Sequence, residues 1–248
     1  MKLPFKVDGG AGALAAIGLI VLQSDESMEA ELRSVFDQQG VALYHSRIPS
    51  AAEVTAETLK QMELDLPRAA ALLPTANALD VVGYGCTSGA TVIGADKVAA
   101  AIKATHTNAK TTDPITAVMA ACNHLGVRKI GFVTPYVAEV SEAMRKLLEQ
   151  NGFSVAAFGS FEQIEESVVA RITSSAVFDA VCAVGKDPDV EAVFVSCTNL
   201  RSFDIIDKAE AIIDKPVISS NQALAWHLLT LAGLAPSGKG PGRLFNHG

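Results

Sequence analysis

Short runs of consecutive apolar residues alternate along the chain with longer stretches in which apolar positions recur every three or four residues. The apolar runs predict strands over residues 16–22, 41–46, 78–85, 129–134, 154–158, 192–196 and 216–219. The amphipathic stretches predict helices over 28–39, 55–73, 91–101, 115–125, 137–151, 165–184, 202–213 and 222–231. Strands that are apolar throughout are covered on both faces, and strands separated by helices of this length pair in parallel. The pattern predicts an α/β fold of the doubly wound kind. Gly40, Gly126 and Gly152 each follow a polar helix end, where a left-handed residue stops the helix, and Asp113-Pro114 reads as a helix start.

The chain also echoes itself. Val81 to Ser88 and Val193 to Asn199 are each an apolar strand that ends in Cys-Thr followed by a polar residue. No short-period repeat accompanies them, which excludes a solenoid. The echo predicts two related lobes: residues 1–113 with 216–248 in the first, and 114–215 in the second. Each lobe would present one cysteine where a strand gives way to a helix, the edge at which open α/β sheets bind ligands.

Composition narrows the chemistry. The 248 residues are 49% apolar, with 20 basic and 27 acidic side chains and a net charge of -7. This excludes a disordered chain. An acidic chain with no basic run also gives no expectation of a nucleic-acid partner. The apolar segment 11–22 is too short to span a bilayer and leads straight into a helical pattern, so it reads as a buried first strand, with no membrane partner. The four cysteines, at 86, 122, 182 and 197, form no CxxC pair, which points to reduced thiols in a cytoplasmic protein. Cys122 and Cys182 sit among Ala and Val on predicted helices and read as structural.

Cys86 and Cys197 differ, since each precedes hydroxyl or amide side chains at an expected helix N-terminus. Exposed N–H groups there would lower a thiol's pKa. Two such thiols can act as acid and base on opposite sides of a substrate carbon, or one can add to a double bond while the other handles a proton. Either reaction suits a carboxylate held by Thr87-Ser88 and Thr198-Asn199.

The motifs GLIVLQSDESMEAEL (18–32), HSRIP (45–49), GYGCTSGATVIG (83–94), GFVTPY (131–136), VFVSCTNL (193–200), PVISSNQALAWHLL (216–229) and GRLF (242–245) occur in one order. In this the chain resembles the maleate isomerase and arylmalonate decarboxylase group of the aspartate/glutamate racemase superfamily. The resemblance implies two pseudo-symmetric flavodoxin-like lobes with parallel sheets, an active site in the cleft between them, and no cofactor or metal. It places the catalytic cysteines at Cys86 and Cys197 and a carboxylate-binding tyrosine at Tyr136, with Thr87 and Ser88 beside it. Arylmalonate decarboxylases carry glycine at the Cys86 position, so keeping the cysteine favours isomerisation over decarboxylation.

Two positions depart from maleate isomerases, where asparagines bind carboxylate: this chain has Asp25, and at or near the second position Glu166. Asp25 suits a cationic nitrogen, and racemase-like proteins of ectoine utilisation are similar at the VLQSDES loop. Asp25 reads equally as a cap for the helix that follows. The implied function is a cofactor-independent two-cysteine isomerase of a small carboxylic acid, maleate cis–trans isomerase-like and dimeric with itself. An amino-acid racemase, an ectoine-utilisation isomerase, an arylmalonate-type decarboxylase and a non-catalytic two-lobed binding protein remain the alternatives.

Overall fold

The computed structural model describes residues 1–236 and 238–246. Two four-stranded parallel sheets carry the fold. The first contains β1 (Ala15–Leu22), β2 (Val41–Ile48), β3 (Val81–Gly85) and β4 (Lys110–Thr112), in the order β2-β1-β3-β4. The second contains β5 (Lys129–Tyr136), β6 (Ser154–Gln163), β7 (Ala192–Val195) and β8 (Val217–Ser219), in the order β6-β5-β7-β8. The same order recurs in both, as the sequence echo predicts. Every residue of β1, β3 and β7 is buried, which is why these runs are apolar throughout.

The helices are α1 (Met28–Leu32), α2 (Ala56–Ala71), α3 (Thr87–Ile93), α4 (Ala95–Lys103), α5 (Pro114–His124), α6 (Ala138–Gln150), α7 (Glu166–Val169), α8 (Ser174–Gly185), α9 (Phe203–Ile213), α10 (Ser220–Leu231) and α11 (Gly242–Asn246). Asp113 caps α5 by accepting from Thr116 N, with Pro114 in the first turn, as the sequence indicates.

Three predicted helices are shorter or divided. The 28–39 helix ends at Leu32, whose carbonyl accepts from both Val35 and Phe36 N; that tight turn buries both neighbouring side chains. The expected helix around 91–101 is two helices broken at Gly94, whose φ of +91° a helix cannot contain. The 165–184 helix is α7 and α8, with Thr173 capping the second through Ala176 N. The short strand β4 and the helix α11 carry too few residues to show a period and are absent from the sequence-based assignment.

The expected return of everything from Pro216 to the first lobe needs a correction. β8 pairs with β7 in the second sheet, and only at Ser219-Ser220 does the chain cross back. From there α10 packs against β3, β4 and α5. Nearly all of α10 is buried, including its polar first turn, because it is covered from both sides.

Candidate active site

Cys86 follows β3 and serves as the N-cap residue of α3. Its Sγ accepts from Gly89 N at 3.2 Å and lies 3.7 Å from Ser88 Oγ. Cys197 follows β7, but no helix starts there, because α9 begins only at Phe203. Its backbone is held at φ +113°, a conformation that costs a residue with a side chain on the order of 1–3 kcal/mol and that recurs at functional sites. Asn199 N donates to Cys197 Sγ at 3.3 Å. The expected helix N-terminus at Cys197 is thus replaced by a strained turn.

The two cysteine-bearing turns meet at a residue outside the predicted site. Ser220 Oγ accepts from Thr87 Oγ1 at 2.8 Å and from Cys197 N at 3.1 Å. Thr198 Oγ1 reaches the Gly85 carbonyl at 3.5 Å, a second link between the turns. The Ser219-Ser220-Asn221 run reads in the sequence as a lining of the cleft or, more simply, as a helix cap; Ser219 does cap α10, and Ser220 is the bridge between the two turns.

Asp25, Glu166 and Asn199 form the other wall. Asp25 Oδ1 accepts from Ser27 N at 2.9 Å and Met28 N at 2.8 Å, so the capping reading holds for this oxygen. Asp25 Oδ2 is buried with no well-aligned hydrogen bond among the described residues; the Thr198 hydroxyl lies near Asp25 and is shared with Gly85 O at 3.5 Å. Asn199 Nδ2 donates to Glu166 Oε2 at 3.0 Å and Ser24 O at 3.2 Å, while its Oδ1 accepts from Glu26 N at 2.9 Å. Tyr136, at the end of β5, is buried with its hydroxyl against Cys197. Arg47 stays outside this group: it holds the loop by donating to the carbonyls of Leu22, Gln23 and Asp25 and pairs with Glu29 at 3.0 Å.

All the predicted residues, Asp25, Cys86, Thr87, Ser88, Tyr136, Glu166, Cys197, Thr198 and Asn199, are buried, with Cys86 2% and Cys197 3% exposed. That burial overturns the expected low thiol pKa. Loss of water pushes Cys86 up to about 12, and the Gly89 N–H and Ser88 hydroxyl offset only part of it. Cys197 is driven well above a thiol's ordinary value, first by burial and then by the Glu166 carboxylate. Burial likewise raises Asp25 and Glu166, and the negative charge of Asp25 adds to the rise at Glu166. Tyr84, two residues before Cys86, also sits against that sulfur and is another residue beyond the predicted set.

Known proteins are similar to this chain in sequence and fold. A maleate isomerase of Pseudomonas putida is 26% identical over 245 residues, covering 94% of this chain and 98% of its own. A crystal structure of a maleate isomerase from the same species superposes with a TM-score of 0.85 at 24% identity, over 94% of this chain and 98% of that one. The Nocardia farcinica maleate cis–trans isomerase, solved as a cysteine-to-serine variant with a covalently bound succinylcysteine intermediate, superposes at 0.82 with 23% identity, over 94% and 99%. The arylmalonate decarboxylase family profile matches residues 89–245, a span from just behind Cys86 through the Cys197 turn to α11. With that match over more than half its length, the chain belongs to the arylmalonate decarboxylase family.

Proposed function

We propose that the protein is a cofactor-independent isomerase of a small carboxylic acid that uses Cys86 and Cys197 in the manner of maleate cis–trans isomerases. The observation that carries this reading is the meeting of the two turns that bear buried thiols, one from each sheet, on a single hydroxyl: Ser220 accepts from the Thr87 hydroxyl and from the Cys197 backbone amide. The succinylcysteine of the Nocardia farcinica enzyme supports a covalent role for one cysteine. In this chemistry Cys86 first loses its proton to solvent as the site opens to substrate. Its thiolate then forms a C–S bond to one olefinic carbon, and the double-bond electron pair moves toward the adjacent carboxylate; the thiolate is restored when that C–S bond later breaks. The Cys197 thiol gives a proton to the second carbon. Rotation follows about what is now a single bond; Cys197 then takes a proton back, and the C–S bond breaks to release the trans acid. Tyr136, Thr87, Ser88, Thr198 and Asn199 supply donors for the substrate carboxylate. Cys86 itself supports isomerisation over decarboxylation. No helix among the described residues is long and apolar enough to cross a membrane; the four unpaired cysteines support action in the cytoplasm.

The test is proton NMR in D2O with maleate, L-aspartate, L-glutamate and ectoine in separate tubes. Fumarate formation assigns the thiols to olefin addition. Loss of an α-proton signal without fumarate assigns them to proton exchange at Cα, as in racemases. Either activity should fall by several orders of magnitude in both Cys86→Ser and Cys197→Ser. Turnover that survives in either variant, or silence in every tube, overturns the reading.

A further inference from the structure

The buried charges around the two thiols are all of one sign. Asp25 and Glu166 are 3% and 6% exposed, and both act electrostatically on Cys197. Among the described residues no lysine or arginine is buried, and the one buried histidine, His106, is bonded to Ala70 O away from the site. Arg47 is the one cation that acts on Asp25, and its guanidinium is committed to three backbone carbonyls and to Glu29. Asp25 Oδ1 is filled by two backbone N–H groups, whereas Oδ2 makes no well-aligned hydrogen bond among the described residues: the Thr198 hydroxyl beside it is shared with Gly85 O, and no cation reaches it. A buried carboxylate oxygen left unpaired is costly unless a donor or a cation arrives. A second substrate carboxylate at this wall would meet two carboxyl groups and no buried cation to balance its charge.

We infer that the site takes a carboxylic acid that also bears a cationic nitrogen, an ammonium or amidinium, with Asp25 Oδ2 as the nitrogen's acceptor and Glu166 beside it. The acid's own carboxylate lies toward the hydroxyls and amides of Thr87, Ser88 and Thr198. This rests on the two-cysteine site proposed above and adds the charge of what enters it. A dianionic acid such as maleate is then a poor fit for this chain, whichever bond the thiols act on.

Binding, measured by calorimetry without turnover, separates the two proposals. Two matched pairs serve as probes: L-alanine against methylmalonate, and β-alanine against succinate, each pair exchanging an ammonium for a carboxylate on the same carbon skeleton. The wild type should bind the ammonium acid of at least one pair at least about tenfold more tightly than its partner. Asp25→Asn, which keeps an oxygen for the Ser27 and Met28 N–H groups, should remove or reverse that preference. Glu166→Gln, which keeps an acceptor for Asn199, should reduce it and serves if the first variant does not fold. A wild type that binds the dicarboxylates as well as or better than the ammonium acids overturns the inference; so does a preference unchanged in both variants, or binding of no probe by any of the proteins. Loss of turnover in the cysteine variants with the binding preference intact upholds both proposals, and each can fail alone.

Discussion

At Gly89 a hydrogen is all the site has room for. A Cβ there would lie 2.5 Å from the Tyr84 hydroxyl, 2.9 Å from Cys86 Sγ and 3.0 Å from the end of Met62, while the Gly89 amide donates to the same sulfur. Gly89→Ala must push that sulfur aside, and a misplacement of that size costs about a hundredfold in turnover; steady-state kinetics on a folded variant checks it. The resting thiol is testable directly. With Cys86 at about 12, its thiolate fraction rises about tenfold per pH unit, so iodoacetamide labelling of its peptide should rise at that rate from about pH 7 to 9. A flat profile by mass spectrometry contradicts a neutral resting thiol. Glu166 gives a stability prediction with a definite sign. Burial raises its folded pKa above the ordinary 4.5, so its favourable contribution is complete below that value and is lost as pH rises through the folded pKa. Glu166→Gln should therefore gain stability on the wild type at pH 8 in urea titrations, and the gain should shrink toward pH 4.5. Of these residues, the cysteines and Asp25 stand out in the sequence within motifs, and Glu166 only by its correspondence at or near a family position. Tyr84 and Gly89 lie in the Cys86 motif too, but nothing there assigns them a role, because their importance is a matter of ångströms around one sulfur atom.

Among the elements, the shortest have the widest reach. α1 has five residues, yet Glu31 on it accepts from Ser202 N and Phe203 N, capping α9, which has no side-chain cap of its own. Its other oxygen accepts from Asn221 Nδ2 at 2.7 Å, and Asn221 also donates to Thr198 O at 2.8 Å, inside the strained turn. Glu31→Ala leaves two N–H groups unsatisfied and takes away one of the two acceptors of the Asn221 amide, so a loss of about 3 kcal/mol is expected in chemical denaturation. Activity should fall with it, while the surface pair Lys97–Glu63 can be removed at little cost. Helices long enough to show a period were legible in outline; their breaks at Gly94 and Thr173 were not, since a pattern of apolar positions runs on through a bend that keeps the same face inward. Glu31 gave no signal of its role, because its partners lie 171 to 190 positions away.

For the molecule as a whole, the question is how anything reaches the thiols. The two lobes touch over the site through an isolated antiparallel bridge between Glu53 and Glu165, with Val54 N donating to Ile164 O at 2.9 Å and Glu166 N to Ala52 O at 3.0 Å. With both cysteines nearly inaccessible, substrate can arrive only when such contacts part. The amides of Val54 and Glu166 should exchange with deuterium faster than those of β1 and be slowed by a bound ligand; equal protection with β1 would place the route elsewhere.

The alternation of apolar runs with amphipathic stretches, the Cys-Thr echo and the family motifs are local in the chain, and by themselves they determined two parallel sheets and the two cysteines. What depended on distance through space came only from the tertiary structure: the crossing of α10, the bridging Ser220, the orphaned Asp25 oxygen and the strained Cys197. The thiol pKa shows the difference most clearly. A sequence can show which N–H groups follow a cysteine, but the water removed from its sulfur depends on every element packed around it, and that loss outweighs the local stabilisation.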